Sequence, residues 1–143
     1  MPVITVNLEQ VNNATTRATI RGHELLIDRP KAKEGNDAGP MGGELLLAAL
    51  GGCFNSNLLA AIRARNLLID DITIEINGKL VDHPQRYDSV EMVVRSAYPD
   101  QKEFEKLVTI AERSCIVANS LRQGLNLSVR VEQSGAPAES PAS

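Results

Sequence analysis

The sequence predicts an α+β domain in which two antiparallel sheets accompany one long buried helix. Three observations predict this class. Segments rich in β-branched or alternating residues fall into two groups, the segment between the groups is too apolar for a surface helix, and 143 residues is the size of one domain. The predicted order is βββ-α-ββ-α-β within a single domain at 1–133, followed by a disordered tail at 134–143 that is rich in Ala, Pro and Ser.

The N-terminal part predicts an antiparallel meander of three strands. The strands are separated by Asn-Asn and Arg-Gly-His turns and cover residues 3–8, 16–20 and 24–28. The next segment, 29–43, contains so many glycines and prolines that it predicts a long loop. Loops of this length inside a compact domain are often functional.

The strongest helix prediction covers residues 44–66. Its run at 45–50 is apolar on every side, which is typical of a buried helix. Gly51 and Gly52 interrupt it, and each costs about 1 kcal/mol relative to Ala in a helix interior. Close approach of another backbone or of a ligand would compensate. Because one small chain would cover such a helix incompletely, we expect an obligate dimer that encloses these helices between sheets.

The C-terminal half predicts a hairpin, a helix that ends at Cys115, and a final strand. The alternation at 72–81 and 87–97 indicates two half-buried strands, and Pro99–Asp100 opens a helix at 101–114. A shorter helical stretch is predicted at 117–123, and the alternating segment 125–132 is the last predicted strand.

Composition excludes several classes of function. A net charge of −3 and a pI of about 5.4 argue against nucleic acid or an anionic membrane as a partner. No run of 18 uninterrupted apolar residues suggests a membrane span, and the first residues lack the pattern of a signal peptide. We therefore expect a cytoplasmic protein, in which cysteines are kept reduced.

The two cysteines, Cys53 and Cys115, are the candidates for chemistry. Free cysteines are often inert core residues. Alternatively, the Cys53 thiolate attacks the O–O bond of a peroxide and becomes a sulfenic acid, which Cys115 converts to a disulfide. The two residues are 62 positions apart, so no local cysteine motif relates them. Neither His23 nor His83 completes a metal-binding spacing with them, so the sequence predicts no metal and no cofactor.

A nucleophilic thiol needs a lowered pKa, which a neighbouring cation commonly provides. Arg17 and Arg21, in or next to the second strand, are the candidate cations. Glu44 would either orient such a guanidinium or serve as the acid that is favoured at a helix N-terminus. The pattern alone leaves both interpretations open.

Two segments resemble a known family. The first is Asp37-Ala-Gly-Pro-Met-Gly-Gly-Glu-Leu-Leu-Leu-Ala-Ala-Leu-Gly-Gly-Cys53, and the second is Ser114-Cys-Ile-Val-Ala-Asn119. Together, and in this order, they resemble the two cysteine motifs of the OsmC/Ohr family of osmotically induced and organic hydroperoxide resistance proteins. The order of strands and helices is also similar, so the resemblance extends over residues 3–132.

The resemblance implies an entwined homodimer with two active sites at the subunit interface. It implies that Cys53 is the peroxidatic nucleophile, that Cys115 is the resolving cysteine, and that an arginine activates the thiolate. Arg17 matches the position of that arginine best and Arg21 is second, while Glu44 is the nearest match to the glutamate that pairs with it. The implied substrates are organic hydroperoxides, and the implied reductants are dithiols such as lipoylated proteins.

The chain departs from the pattern of the better-known members at three places. Gly43 stands where their glutamate lies, the loop at 41–43 lacks their usual proline before the glutamate, and Ile116 stands where a proline often follows the second cysteine. These departures suggest a less-studied OsmC-like branch.

The leading hypothesis is accordingly a two-cysteine hydroperoxide reductase. An apolar substrate would be lined by four candidate residues: Leu46, Leu50, Phe54 and Val117. The alternatives are a non-enzymatic protein that binds a small apolar ligand, and a redox sensor that forms the disulfide but turns over slowly.

Overall fold

The computed structural model describes residues 1–135 and confirms the α+β class. The predicted tail at 134–143 falls almost entirely outside the described residues. In chain order the elements are β1 (Asn7–Gln10), β2 (Thr16–Ile20), β3 (His23–Ile27), a 3-10 turn (Lys31–Lys33), α1 (Gly42–Ala64), β4 (Thr73–Val81), β5 (Arg86–Arg95), α2 (Gln101–Arg113) and α3 (Ile116–Gln123).

The N-terminal sheet is the predicted antiparallel meander, in the order β1-β2-β3. Arg21 and Gly22 form the β2–β3 turn with φ angles of 50° and 86°, a conformation that glycine adopts easily. The first strand begins at Asn7, not at residue 3 as predicted. β1 pairs with β2, which is only five residues long, and this pairing ends at Asn7, which lies opposite Thr19. Residues 3–6 therefore have no ladder partner in this chain.

The glycine-rich loop before α1 is held in place by a buried carboxylate. Asp28 is 3% exposed, and its side chain accepts a hydrogen bond from the Thr15 hydroxyl at 2.8 Å. It also accepts from three loop amides: Arg29, Asn36 and Ala38. Gly39 lies so close to β3 that a Cβ there would be 2.0 Å from the Leu26 carbonyl oxygen. The loop is thus an ordered connection that fixes where α1 begins.

Helix α1 is the centre of the second half of the fold and packs against α2, α3 and β4. Phe54 and Leu58 are among its fully buried side chains. Gly51 faces β4, where an added Cβ would be 2.5 Å from Ile76 Cδ1, so the close neighbour at Gly51 is a side chain and not the backbone or ligand that was expected. Gly52 faces open space in this chain.

Length and composition alone would allow α1 to cross a membrane, a property it shares with core helices of other proteins. A search for 18 uninterrupted apolar residues does not detect this property of α1, because polar residues interrupt its apolar run. In this fold α1 packs against the core, and one third of its most apolar stretch of 18 residues is buried.

The β4–β5 hairpin covers one side of α1. It is antiparallel, with an irregularity between Lys79 and Leu80. The alternation predicted from sequence is realised, because one face of the hairpin packs against the core through Ile74, Ile76, Val90, Met92 and Val94.

The predicted last strand is wrong for the isolated chain. Residues 125–132 form no strand, and Leu125, Leu127, Val129 and Val131 are 75–93% exposed. A strand requires a neighbour for its backbone groups, and neither sheet of this chain supplies one here.

Candidate active site

The fold brings Cys53 and Cys115 close enough together that each shifts the pKa of the other. Cys53 lies in the middle of α1 and is half-buried, whereas Cys115 precedes α3 and is fully buried. This proximity arises because α3 packs against α1. Both cysteines are present as free thiols.

The pKa of the Cys53 thiol is lowered. Burial, the largest influence, acts to raise it. Three hydrogen bonds to the sulfur outweigh burial, and they come from the Val117 amide, the Cys115 side chain and the Ile116 amide. Cys53 is therefore the sulfur that carries the charge when this pair loses a proton.

The pKa of the Cys115 thiol is raised. Burial is again the largest influence, and the hydrogen bond to Cys53 and the negative charge of its thiolate add to it. The Ala118 and Val117 amides oppose this rise only in part. The pair thus divides into one thiolate and one protonated thiol, the arrangement needed for a nucleophile and its resolving partner.

Cys115 also forms the N-cap of α3. Its sulfur accepts a hydrogen bond from the Ala118 amide at 3.4 Å, and its carbonyl accepts one from the Asn119 amide at 2.9 Å. The Asn119 side chain donates to the Arg113 carbonyl at 3.1 Å. These bonds fix the turn between α2 and α3, and with it the position of the sulfur.

Arg17 is engaged elsewhere within the chain. It lies on β2, where its guanidinium pairs with Glu9 at 2.7 Å and approaches Glu24 at 4.0 Å. Arg21 lies in the following turn. Within residues 1–135 of one chain, neither arginine is among the groups that set the pKa of Cys53.

Glu44 takes the role of a helix N-terminal acid in the chain. Its carboxylate accepts a hydrogen bond from the Met41 amide at 2.8 Å, as part of a capping box at the start of α1. At the adjacent Gly43, the carbonyl accepts a hydrogen bond from the Tyr87 hydroxyl at 2.8 Å. Tyr87 therefore ties β5 to the first turn of α1.

A mostly apolar cleft of about 600 Å³ is lined by residues near the two cysteines in sequence, among them Phe54 and Ala118, but by neither cysteine itself. Three predicted lining residues, Leu46, Leu50 and Phe54, form one wall. The opposite walls come from β5, α2 and α3, and Arg122 forms an ion pair with Glu112 where both line the cleft. Val117, the fourth predicted residue, packs against the hydrophobic core instead of lining the cleft.

Sequence analysis missed the backbone donors of α3. The amides of Ile116 and Val117 carry no side-chain signal, so a search for charged neighbours of Cys53 could not find them. The sequence offered one signal, the position of Cys115 directly before a predicted helix. The first N–H groups of a helix have no partner within the helix, so they are available as donors.

Comparison with known proteins gives a family and a fold. The family model described as OsmC-like protein matches residues 35–130, which is more than half of the chain. The match begins after β2, so Arg17 lies outside it. A search of curated proteins found no match.

Solved structures share the fold at low sequence identity. A Psychrobacter arcticus protein named for osmotic stress induction and a detoxification response is 19% identical, with a TM-score of 0.73, covering 84% of this chain and 89% of that one. A hypothetical protein from Aquifex aeolicus is 23% identical, with a TM-score of 0.70 and coverages of 88% and 92%. The organic hydroperoxide resistance protein OhrB of Bacillus subtilis is 22% identical, with a TM-score of 0.62 and coverages of 84% and 90%.

The family match, the shared fold and the paired cysteines lead to one conclusion. This chain belongs to the OsmC-like family.

Proposed function

We propose that the protein is a thiol-dependent peroxidase that reduces organic hydroperoxides. The observation that carries the proposal is the asymmetric pair, in which Cys53 has the lowered pKa and the adjacent Cys115 the raised one. A thiolate beside a protonated thiol is the ground state that a two-cysteine peroxidase needs. Similar folds in proteins named for organic hydroperoxide resistance support the choice of substrate class.

The proposed reaction has two steps on the protein. The Cys53 thiolate attacks the terminal oxygen of the hydroperoxide, the O–O bond breaks, and the alkoxide leaves and takes a proton from solvent. Cys53 is then a sulfenic acid. The Cys115 sulfur attacks the Cys53 sulfur, an S–S bond forms, and the sulfenic hydroxyl leaves as water with the proton of Cys115. A dithiol reductant returns both cysteines to thiols and is itself oxidised to a disulfide.

The cleft supports an apolar substrate. Leu50 and Phe54, which line the cleft, lie three residues before and one residue after Cys53 on α1. We propose that an alkyl chain bound in the cleft extends its peroxide end toward the sulfur. We propose that Leu46 extends this wall. A dithiol such as a lipoylated protein in the cytoplasm is the proposed reductant.

The proposed working unit is a homodimer. In one chain Arg17 lies on a sheet separate from the elements that carry the cysteines, and the alternating segment 125–132 exposes its apolar side chains. A second copy would give this segment a strand partner and cover these residues. We propose that Arg17, oriented by a glutamate such as Glu44, reaches Cys53 across that interface.

The test is a count of free thiols per chain before and after one equivalent of cumene hydroperoxide. We expect the wild type to fall from two thiols to none. Cys53→Ser should retain its one thiol, and Cys115→Ser should lose its one thiol and yield a sulfenic acid that dimedone traps. Two thiols that persist in the wild type under excess peroxide would overturn the proposal.

A second candidate function is non-enzymatic binding of a small apolar ligand, which the cleft volume favours. Under this function the thiols would not react with peroxide, while a fluorescent fatty acid would bind to wild type and to Cys53→Ser equally. A redox sensor would form the disulfide in the same thiol count but would not turn over when dithiothreitol is supplied.

A further inference from the structure

Tyr87 is held between β4 and the start of α1 by close contacts with two glycines. Its hydroxyl donates a hydrogen bond to the Gly43 carbonyl at 2.8 Å, and a Cβ added at Gly43 would lie 3.2 Å from the same hydroxyl. Its ring lies against Gly78, where an added Cβ would be 2.6 Å from the Tyr87 Cε1 atom. A glycine inside a strand often marks a close approach of this kind. The position of the Tyr87 ring therefore depends on the absence of a side chain at residue 78.

An irregularity in the β4–β5 hairpin turns Tyr87 toward α1. The ladder pairs Ser89 with Lys79 and then Tyr87 with Leu80. Asp88 is skipped, which is the pattern of a β-bulge. Successive residues of a regular strand face opposite sides, so without the bulge Tyr87 would share the face of Ser89, which is exposed. The bulge instead places Tyr87 on the face that packs against the helix.

Tyr87 lines the cleft at the end that is remote from Cys53. Three apolar side chains of α1 line the cleft at successive turns: Leu46, Leu50 and Phe54. Phe54 is next to Cys53 in the chain, whereas Tyr87 is bound to Gly43. Gly43 lies ten residues before Cys53 on α1, which is about 15 Å along the helix axis. The cleft thus follows α1 from the turn that adjoins Cys53 back to Tyr87.

The wall formed by β5 changes from apolar to polar close to Tyr87. Its apolar part consists of three side chains: Val90, Met92 and Val94. Asp88 and Ser89, which also line the cleft, are exposed. An alkyl chain gains free energy by leaving water for apolar surroundings, and it gains none beside an exposed carboxylate. The part of the cleft that favours an alkyl chain therefore ends where Tyr87 lies.

We propose that Tyr87 is the end wall of the cleft and sets the longest straight alkyl chain that the protein accepts. The ring cannot withdraw without losing both its hydrogen bond to the Gly43 carbonyl and its packing on Gly78. Methylene groups up to the ring are buried and add to the affinity, while those past it stay in water. The inference rests on the proposed function in taking the cleft as the site of the alkyl chain.

The test measures the affinity of straight-chain alcohols, from butanol to dodecanol, by isothermal titration calorimetry. The full chain is used with reduced cysteines and without peroxide. In the wild type we expect the affinity to rise about fourfold with each added carbon and then to stop rising. In Tyr87→Ala, the first alcohol past the wild-type limit should again bind about fourfold more tightly than its shorter homologue. The same limit in both proteins, or no limit or no binding in the wild type, would overturn the inference.

Tyr87→Phe is the matched control, because it keeps the ring and removes only the hydroxyl. We expect it to show the wild-type limit. A residue that only supported the fold would, when replaced by alanine, weaken the binding of every alcohol alike and leave the limit where it was. That result would also contradict the role of Tyr87 as an end wall.

Gly78→Ala keeps the test decisive if Tyr87→Ala does not fold. The added methyl group would lie 2.6 Å from the Tyr87 ring, so the ring must move off β4 toward the cleft. We expect the limit to move to shorter alcohols. An unchanged limit in Gly78→Ala would overturn the inference.

These measurements are independent of turnover. A protein whose limit moves in Tyr87→Ala but whose thiols survive excess peroxide would overturn the proposed peroxidase alone. A protein that consumes peroxide but shows one limit in all variants would overturn the end wall alone.

Discussion

At the scale of single residues, the two cysteines differ because their neighbours differ. The pKa of Cys53 is lowered because its hydrogen-bonding neighbours outweigh its burial, while Cys115 is more deeply buried and its pKa is raised. Sequence position alone could not assign these roles. The difference comes from the groups that surround each sulfur. The effect of the Cys115 side chain on the pKa of Cys53 can be tested directly.

Removing the donor at residue 115 should raise the pKa of Cys53. Cys115→Ser keeps a hydroxyl that donates to the Cys53 sulfur, and Cys115→Ala keeps none. We expect a higher midpoint for iodoacetamide alkylation in Cys115→Ala than in Cys115→Ser, as measured from pH 4 to 10. The same midpoint in both variants would show that the side chain at 115 does not stabilise the thiolate.

The lowered pKa of Cys53 also sets the pH dependence of its oxidation. The thiolate is the reactive form, so the rate should rise with pH through the Cys53 pKa and then level off. We expect the half-maximal rate below pH 9.0, the reference pKa from which that of Cys53 is lowered, in single-turnover stopped-flow experiments with cumene hydroperoxide. A rate that still rises steeply above that pH would contradict this expectation.

At the scale of elements, the loop between β3 and α1 depends on one carboxylate. Burial acts to raise the pKa of Asp28, and the hydrogen bonds from the Thr15 hydroxyl and the loop amides outweigh it, so the pKa is lowered. A carboxyl group whose pKa falls on folding stabilises the fold above its unfolded value of about 3.9. That contribution is lost as the pH falls through the folded value.

Asp28→Asn should therefore destabilise the protein at neutral pH and have less effect in acid. Asp37→Asn is the matched control, because Asp37 is exposed in the same loop and asparagine tolerates its φ of 53°. The measurement is urea unfolding of both variants and wild type from pH 7 to about 2.5. A deficit of Asp28→Asn that stays constant over this range would contradict the assigned role of the charge.

Shortening a buried side chain of α1 should lower the free energy of unfolding. Leu58 is 0% exposed, and Leu58→Ala should lower the free energy of unfolding by about 2–5 kcal/mol through lost burial and the cavity left behind. Leu68→Ala, at a position that is 96% exposed, is the control and should change little. Equal effects in urea unfolding would argue against the described packing.

At the scale of the whole molecule, one chain leaves too much apolar surface uncovered. Val3, Ile4 and the alternating side chains of 125–132 are exposed, and Gly52 leaves an open face on α1. Large apolar side chains left exposed in this number are typical of a protein that has a partner surface. The proposed dimer would also give the backbone of 125–132 a strand partner.

Charges on the apolar face of 125–132 should therefore separate the subunits. We expect the wild type to sediment at about twice the chain mass of 15.5 kDa. The double variant Leu127→Asp with Val129→Asp should sediment as a single chain. Asn126→Asp with Ser128→Asp adds the same charge to the alternate positions and should remain a dimer. Identical masses for the two double variants would contradict an interface built on this face.

Several features of the fold were predictable because they follow from local patterns. Apolar alternation predicted β4 and β5 within two residues, and the apolar run at 45–50 predicted the buried helix α1. The two cysteine motifs resembled the family that the comparison confirms. Residues 3–6 and 125–132 were predicted wrongly because a strand is completed by a neighbour, and local alternation carries no information about which chain supplies it.

The sequence by itself determined the class of fold, the family and the two sulfurs that are available for chemistry, because each depends on residue type and spacing. Only the tertiary structure decided that Cys53 and Cys115 touch, that the start of α3 faces Cys53, and that Glu44 caps α1. The physical reason is that a thiol's pKa depends on its burial and on the groups around it, and only a fold brings those groups together.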